Sequence, residues 1–118
     1  MESSEAIAAL AALAQQTRLE TFRLLVSHEP DGLPAGDVAR LMAVPQNTMS
    51  AHLAVLARSG LVRGERRSRS IIYRADLAPV RALVTFLLKD CCEGRPEVCA
   101  PLIEDLVPCC PAPESRCD

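Results

Sequence analysis

Cysteine is the residue type with the most distinctive chemistry in this sequence, and all six cysteines lie at or beyond position 91. Cys91, Cys92 and Cys99 form the first cluster. In a reducing compartment such cysteines are thiol ligands or redox switches more often than disulfides. Three thiolates without a nitrogen donor suit a soft, thiophilic ion better than magnesium, calcium or a typical catalytic zinc. The first cluster is therefore a candidate ion-binding or redox site.

The spacing of the first cluster requires a break in the helix that precedes it. Adjacent helical residues point about 100° apart, and on a continuing helix Cys99 would lie about 10 Å further along the axis than Cys92. One ion cannot bridge that gap. Gly94 and Pro96 lie between the two cysteines and disfavour helix. They let the chain turn back and bring the third sulfur to the vicinal pair.

Length and composition indicate one small helical domain. The 118 residues can bury a modest core and gain by sharing it with a partner chain. Aromatic residues are scarce, so the core depends on Leu, Ala, Val and Ile, which favours packed helices. The N-terminus lacks the basic residues of a secretory signal, and the apolar run 6–14 is too short to span a bilayer. We expect a cytoplasmic protein.

The net charge of -2 conceals an asymmetry. Residues 58–74 contain six arginines and a single acid, Glu65, whereas residues 90–118 contain seven acids and two arginines. One basic surface on an otherwise acidic molecule suits a polyanionic partner such as DNA. The alternative is an arginine-rich face that is merely solvated.

Apolar residues at helical spacing predict five helices, over about residues 7–14, 18–27, 34–41, 45–59 and 77–89. Thr17 and Glu20 form a predicted capping box for the second helix. Pro34 is expected in the first turn of the third, and the fourth opens at Pro45 and ends at Gly60. The first and last helices carry apolar stripes: Ile7, Leu10, Ala11, Ala14, and Val80, Leu83, Val84, Leu87, Leu88. The second stripe faces either a partner subunit or the chain's own core.

The third and fourth helices, separated by a tight turn, have the sequence form of a helix-turn-helix. Two short β-prone runs follow, residues 61–62 and 71–73, around the arginine-rich tip 65–70. The prediction is a mainly α winged helix-turn-helix with a two-stranded β-hairpin wing. Residues 1–90 would form the DNA-binding and dimerisation domain, and residues 91–118 a cysteine-rich sensing segment and tail.

A helix that enters the major groove of DNA exposes short polar side chains near its N-terminus. The fourth helix supplies such a set: Gln46, Asn47, Thr48, Ser50 and His52. The histidine is ambiguous, because a position beside Leu53 also suits a buried or helix-capping role. In the wing, Arg66, Arg67 and Arg69 would contact backbone phosphates or a narrow minor groove.

Three stretches together resemble a known family: QTRL at residues 16–19, QNTMSAHLAVL at 46–56 and SGLV at 59–62. In this order, before an arginine-rich wing ending at Tyr73, they resemble the arsenic-repressor (ArsR/SmtB) family of winged-helix regulators over roughly residues 5–90. The resemblance implies a homodimer that pairs through the first and last helices. It also implies binding to an imperfect inverted repeat in operator DNA and release when an inducer binds.

The sequence departs from the family's best-known sensing motif, because residues 36–43 before the recognition helix contain no cysteine. Zinc ligands along the last helix are poorly supported, since both histidines lie far upstream. Some members instead use a vicinal cysteine pair and a third cysteine after the last helix, and residues 90–99 resemble them. The resemblance implies Cys91, Cys92 and Cys99 as metal ligands. As(III) is the first candidate inducer and Sb(III) the second, because both bind three sulfurs pyramidally.

The sequence therefore predicts a metalloid-responsive repressor released from DNA by As(III) or Sb(III). A thiol-redox repressor of the same fold and a metal-scavenging module without an operator stay open. We expect no enzyme, because no carboxylate pair, nucleophile-base pair or phosphate loop stands out. A second cluster repeats the Cys-Cys-x6-Cys spacing and is a second site, a ligand-capturing tail or a chance repeat: Cys109, Cys110 and Cys117.

Overall fold

The computed structural model describes the backbone of residues 1–91 and the side chains of residues 1–88. Within this part the chain forms five helices and three strands, in the order α1 Ser3–Leu13, α2 Gln16–Ser27, β1 Leu33–Pro34, α3 Ala35–Met42, α4 Gln46–Arg58, β2 Val62–Arg67, β3 Ser70–Ala75 and α5 Ala78–Cys91. The strands form one antiparallel sheet in the order β1-β3-β2. The predicted mainly α winged helix-turn-helix is confirmed.

The hydrophobic core lies where the helices and the base of the sheet meet. Its fully buried large residues include Leu25 of α2, Val38 of α3 and the α4 residues Met49, Leu53 and Leu56. The α4 positions follow the 3.6-residue period that predicted this helix. One face of α4 is therefore fixed in the core, which leaves the opposite face for a partner.

The first helix turns its smallest side chains inward. Ala6, Ala9 and Ala12 are buried, whereas Ile7 is 65% exposed and Leu10 is 45% exposed. Alanines at this spacing let the backbone of α1 approach its neighbours α2 and α4 closely. The predicted helix is confirmed, and its larger apolar residues lie on the face that the other described residues leave exposed.

The predicted capping box at the start of α2 is wrong. The N-cap is Gln15, whose side-chain oxygen accepts a hydrogen bond of 2.8 Å from the backbone N–H of Arg18. Thr17 already lies inside the first turn, and Glu20 accepts a bond of 3.1 Å from the side chain of Gln16. The longer Gln15 side chain can reach the third amide of the helix, which is the usual task of a shorter N-cap residue.

A three-residue turn, residues 43–45, joins α3 to α4. Ala43 is left-handed, with a φ of 57°. Its N–H donates to Arg40 O at 3.2 Å and the N–H of Val44 donates to Ala39 O at 3.0 Å, which is a Schellman helix end. Gly60 terminates α4 with a φ of 83°, as predicted. These two left-handed residues fix the start and end of the recognition helix.

The predicted hairpin is confirmed, with β2 and β3 paired from Val62 and Ala75 at the base to Arg67 and Ser70 near the tip. The additional strand of the sheet, β1, was not predicted. Leu33 and Pro34 pair with Tyr73 and Ile72, so Pro34 belongs to β1 and caps α3 instead of lying in its first turn. A strand of two residues has no periodicity that a sequence pattern could reveal.

Asp76 connects the sheet to the start of α5. Its carboxylate accepts a bond of 3.1 Å from the N–H of Ala78 and one of 3.0 Å from Nε of Arg63 on β2. Its own N–H donates to Leu61 O at 2.8 Å. The first turn of α5 is therefore fixed to the base of the wing.

The chain divides into two compact units inside α5, Met1–Leu83 and Val84–Asp118. Of the second unit the described part is the end of α5, where Leu87 is 44% exposed. A domain boundary at residue 90 stays a prediction, because residues 92–118 lie outside the described residues. No helix in residues 1–91 is long and apolar enough to cross a membrane.

Candidate nucleic-acid interface

The N-terminal half of α4 presents polar side chains to solvent. Gln46, Asn47, Thr48 and Ser50 are all exposed, whereas Met49 between them is fully buried. Amide and hydroxyl groups of this kind can hydrogen-bond to base edges and phosphates. The structure brings these four predicted residues together on one exposed helix end.

The wing adds positive charge, and its arginines differ in their partners. Arg67 lies 3.6 Å from Glu65, and Arg74 lies 3.2 Å from the same carboxylate. Arg66 and Arg69 are exposed, and none of the described acids lies within ion-pair distance of either. Their charge is the least neutralised in the hairpin, so they are its strongest candidates for phosphate contact.

An open groove of about 470 Å³ separates the tip of the wing from the start of α4. Gln46 lines one side, and Arg69, Ser70 and Ile71 line the other. Asp37 lies in the same groove, 3.4 Å from Arg40, so its charge is partly balanced. Residues from the two predicted DNA-contacting elements thus face a common space.

Tyr73 and Gly64 explain how the wing is held. The two residues are cross-strand partners, and a Cβ at Gly64 would lie 3.0 Å from the Tyr73 ring and 3.0 Å from Ile71. The absence of a side chain at Gly64 lets the ring lie against β2. The sequence suggested the wing but did not reveal this packing, because it depends on the register of the two strands.

His52 differs from the other predicted DNA-contacting residues of α4. It is half-buried, and its Nδ1 lies 3.5 Å from Nη1 of Arg18 at the start of α2. Sequence reasoning missed Arg18 as a neighbour of the recognition helix, because the two residues are 34 positions apart. One feature of the sequence could have pointed to Arg18. It places a positive charge in the first turn of a helix, where the macrodipole disfavours it, so the side chain needs a partner elsewhere.

The predicted metal ligands fall at the limit of the described part. Cys91 is the last residue of α5, and Cys92 and Cys99 lie outside the described residues, as does the second cluster. Among the described side chains, residues 1–88, no three His, Cys, Asp or Glu residues are grouped so that they could hold a metal ion. The cysteine site stays a prediction.

Comparisons with known proteins agree with this geometry. Residues 13–65 match a family model described as a helix-turn-helix domain. The transcriptional activator HlyU of Vibrio cholerae is 29% identical over 93 residues, which is 79% of this chain and 83% of HlyU. A structure of reduced HlyU has a TM-score of 0.60 at 29% identity and covers 74% of this chain and 88% of that one.

Two further solved structures are similar over most of their length. An ArsR-like transcriptional regulator from Rhodococcus sp. RHA1 has a TM-score of 0.68 at 28% identity, covering 82% of this chain and 89% of that one. The transcriptional repressor BigR from Xylella fastidiosa has a TM-score of 0.57 at 30% identity, covering 74% and 86% respectively. All three relatives are transcription regulators.

Proposed function

The chain belongs to the ArsR/SmtB family of winged-helix transcription regulators, and we propose that it is a repressor released from its operator by As(III) or Sb(III). Its relatives are transcription regulators with a helix-turn-helix domain, which agrees with the prediction that the chain is not an enzyme. The observation that supports the DNA half of the proposal is the shared exposure of the α4 N-terminus and of Arg66 and Arg69, which have no acidic partner among the described residues.

In this proposal α4 reads base edges in the major groove through Gln46, Asn47, Thr48 and Ser50. Amide side chains can pair with adenine through two hydrogen bonds, and hydroxyls can contact bases or phosphates. Arg66, Arg67 and Arg69 add affinity through phosphates, with little base reading of their own. Base specificity then comes mainly from the recognition helix.

The operator would be an imperfect inverted repeat bound by a homodimer. The exposed Ile7 and Leu10 on α1 support pairing, because an apolar face that the described residues leave open suits a second copy. Two recognition helices related by a two-fold axis read half-sites about one DNA turn apart. The predicted partners are thus operator DNA and a second copy of this chain.

The proposed inducer site is formed by Cys91, Cys92 and Cys99. Three thiolates suit As(III) and Sb(III), which accept three sulfurs in a pyramid. Coordination at the end of α5 could reach the wing, because Asp76 joins the first turn of α5 to Arg63 of β2. A coupling free energy of about 1 to 3 kcal/mol would weaken operator binding roughly 5- to 150-fold.

The test is fluorescence anisotropy with labelled DNA from upstream of the gene that encodes this chain, in anaerobic buffer without competing thiols. The wild-type chain is expected to bind this DNA and to dissociate on titration with arsenite or antimonite. Cys91→Ser, Cys92→Ser and Cys99→Ser should each bind DNA normally and stay bound. Cys117→Ser is the matched control and should dissociate like wild type. Normal release of Cys91→Ser or Cys92→Ser would contradict the site.

A thiol-redox repressor is the second candidate function. It is favoured by the similarity to HlyU, of which a reduced form has been solved. Here Cys91 and Cys92, or one of them with Cys99, would lose two electrons and two protons to an added peroxide and form a disulfide. Release by peroxide without release by arsenite would support this candidate and contradict metalloid sensing. A wild-type chain that binds no upstream DNA would instead favour a metal-scavenging module.

A further inference from the structure

Arg18 lies at a junction of three helices. It is the third residue of α2, where a positive charge is opposed by the helix dipole. The partly buried guanidinium contacts α1. Its Nε donates a hydrogen bond of 2.6 Å to Ala12 O and its Nη2 donates one of 3.4 Å to Ala11 O, both at the C-terminal end of α1. A cation is favoured at that end, which offsets its cost in α2.

The third neighbour of Arg18 is the recognition helix. Nη1 lies 3.5 Å from Nδ1 of His52, a long contact but one with defined chemistry. Arginine can only donate, so Nδ1 accepts and the proton of the neutral ring resides on Nε2. The side chain of Arg18 therefore spans from the end of α1 to the middle of α4.

His52 lies at the edge of the base-reading side of α4. At about 100° per residue, it is rotated by roughly 140° from Asn47 and 160° from Ser50 around the helix axis, but by only about 40° from Thr48, one turn earlier. It is half-buried, whereas all three of those residues are exposed. The flank that carries His52 faces α1, since Val55, Arg18 and α1 residues line one groove there.

We propose that Arg18 and His52 are positioning residues of the DNA-binding surface. Arg18 holds α4 at a fixed angle to the end of α1 through Nδ1 of His52, and His52 does not read bases. Its predicted place among the DNA contacts is then replaced by an indirect role. This inference rests only on DNA binding and is independent of cysteine sensing.

Two amide substitutions separate the two ring nitrogens. Asparagine can place an acceptor oxygen near the position of Nδ1, whereas glutamine can place its amide near the position of Nε2. We expect His52→Asn to bind upstream DNA within about threefold of wild type and His52→Gln to bind about tenfold more weakly, in the range of contact couplings. Equal binding by His52→Gln with weakened binding by His52→Asn would mean a DNA contact through Nε2 and would overturn the proposal.

A double-mutant cycle tests the link to Arg18. His52→Gln should cost about tenfold in DNA affinity in the wild-type chain and less than about twofold in an Arg18→Met chain. The control pair is Ser50→Ala with Arg18→Met, which should be additive. Additive effects of Arg18→Met and His52→Gln, or wild-type affinity for both, would contradict the proposal. Thermal unfolding of each variant, followed by circular dichroism, confirms that it is folded.

The tautomers of the two histidines provide a test on the wild-type chain, without DNA and without any substitution. Nδ1 of His28 lies 3.0 Å from Leu24 O, and a carbonyl can only accept, so His28 should carry its proton on Nδ1. His52 should carry it on Nε2. Long-range ¹H–¹⁵N spectra of the full chain with both rings neutral distinguish these forms. An Nδ1–H tautomer at His52 would overturn the proposal even if the chain bound no DNA.

Discussion

Gly32 is a residue whose identity is dictated by close packing of the backbone. It has a φ of +75° and precedes β1, and a Cβ at this position would fall against Cγ of Arg74 and the carbonyl oxygen of Tyr73. Both constraints act together, since a left-handed backbone already disfavours other residues. The approach of this segment to β3 is what allows Leu33 to pair with Tyr73.

We expect Gly32→Ala to lower the free energy of unfolding by about 2 kcal/mol or more, the sum of left-handed strain and overpacking. Gly36→Ala is the control, because Gly36 is helical and the nearest atom to an added Cβ is 3.8 Å away. That substitution should raise stability by about 0.5 kcal/mol. Urea unfolding measures both, and unchanged stability of Gly32→Ala would show that the close approach is absent.

Residues with a periodic or local signal were predictable, and those that depend on distant partners were not. The exposed polar set from Gln46 to Ser50 follows from its place on an amphipathic helix. The partner of His52 does not follow from a pattern, because a strand and a helix, β1 and α3, lie between the helices that carry Arg18 and His52. The cap of α2 was mispredicted for a smaller reason. Gln15 takes the role of a short polar residue only because its side chain folds back onto Arg18 N–H.

At the scale of elements, the hairpin of β2 and β3 was predictable and β1 was not. The hairpin has two β-prone runs around a polar tip, whereas β1 has two residues and exists only because β3 offers a free edge. The wing is the element on which the electrostatic part of DNA binding depends. Its arginines divide into those paired with acids and those without such partners among the described residues.

The wing arginines should therefore differ in the salt dependence of DNA binding. Arg66→Gln and Arg69→Gln are each expected to lower the slope of log affinity against log salt by about one per lost phosphate contact, hence about two per dimer. Arg63→Gln should change the slope less, because its guanidinium is engaged by Asp76 at 3.0 Å. Anisotropy titrations at several salt concentrations measure the slopes. An equal effect of all three substitutions would contradict the assignment.

At the scale of the whole molecule, the described unit leaves apolar surface uncovered on α1. Buried alanines attach α1 to the rest of the unit, and the larger Ile7 and Leu10 side chains face outward. The sequence predicted a stripe of these residues but not which face the core would take. The face of α1 that lies in the core is the one with the small residues, because alanines let the helix approach its neighbours most closely. The outward face is the part of the homodimer proposal that a substitution can test.

Replacing Ile7 and Leu10 together by Glu should convert the dimer to a folded monomer, because charges on that face would have to be desolvated in a dimer but not in the exposed monomer. Loss of paired half-site binding should lower operator affinity roughly 10²- to 10⁴-fold. Leu41→Glu is the control, since Leu41 is 50% exposed on α3 and should leave the dimer intact. Sedimentation velocity measures the mass, and a double variant that stays dimeric would exclude α1 from the interface.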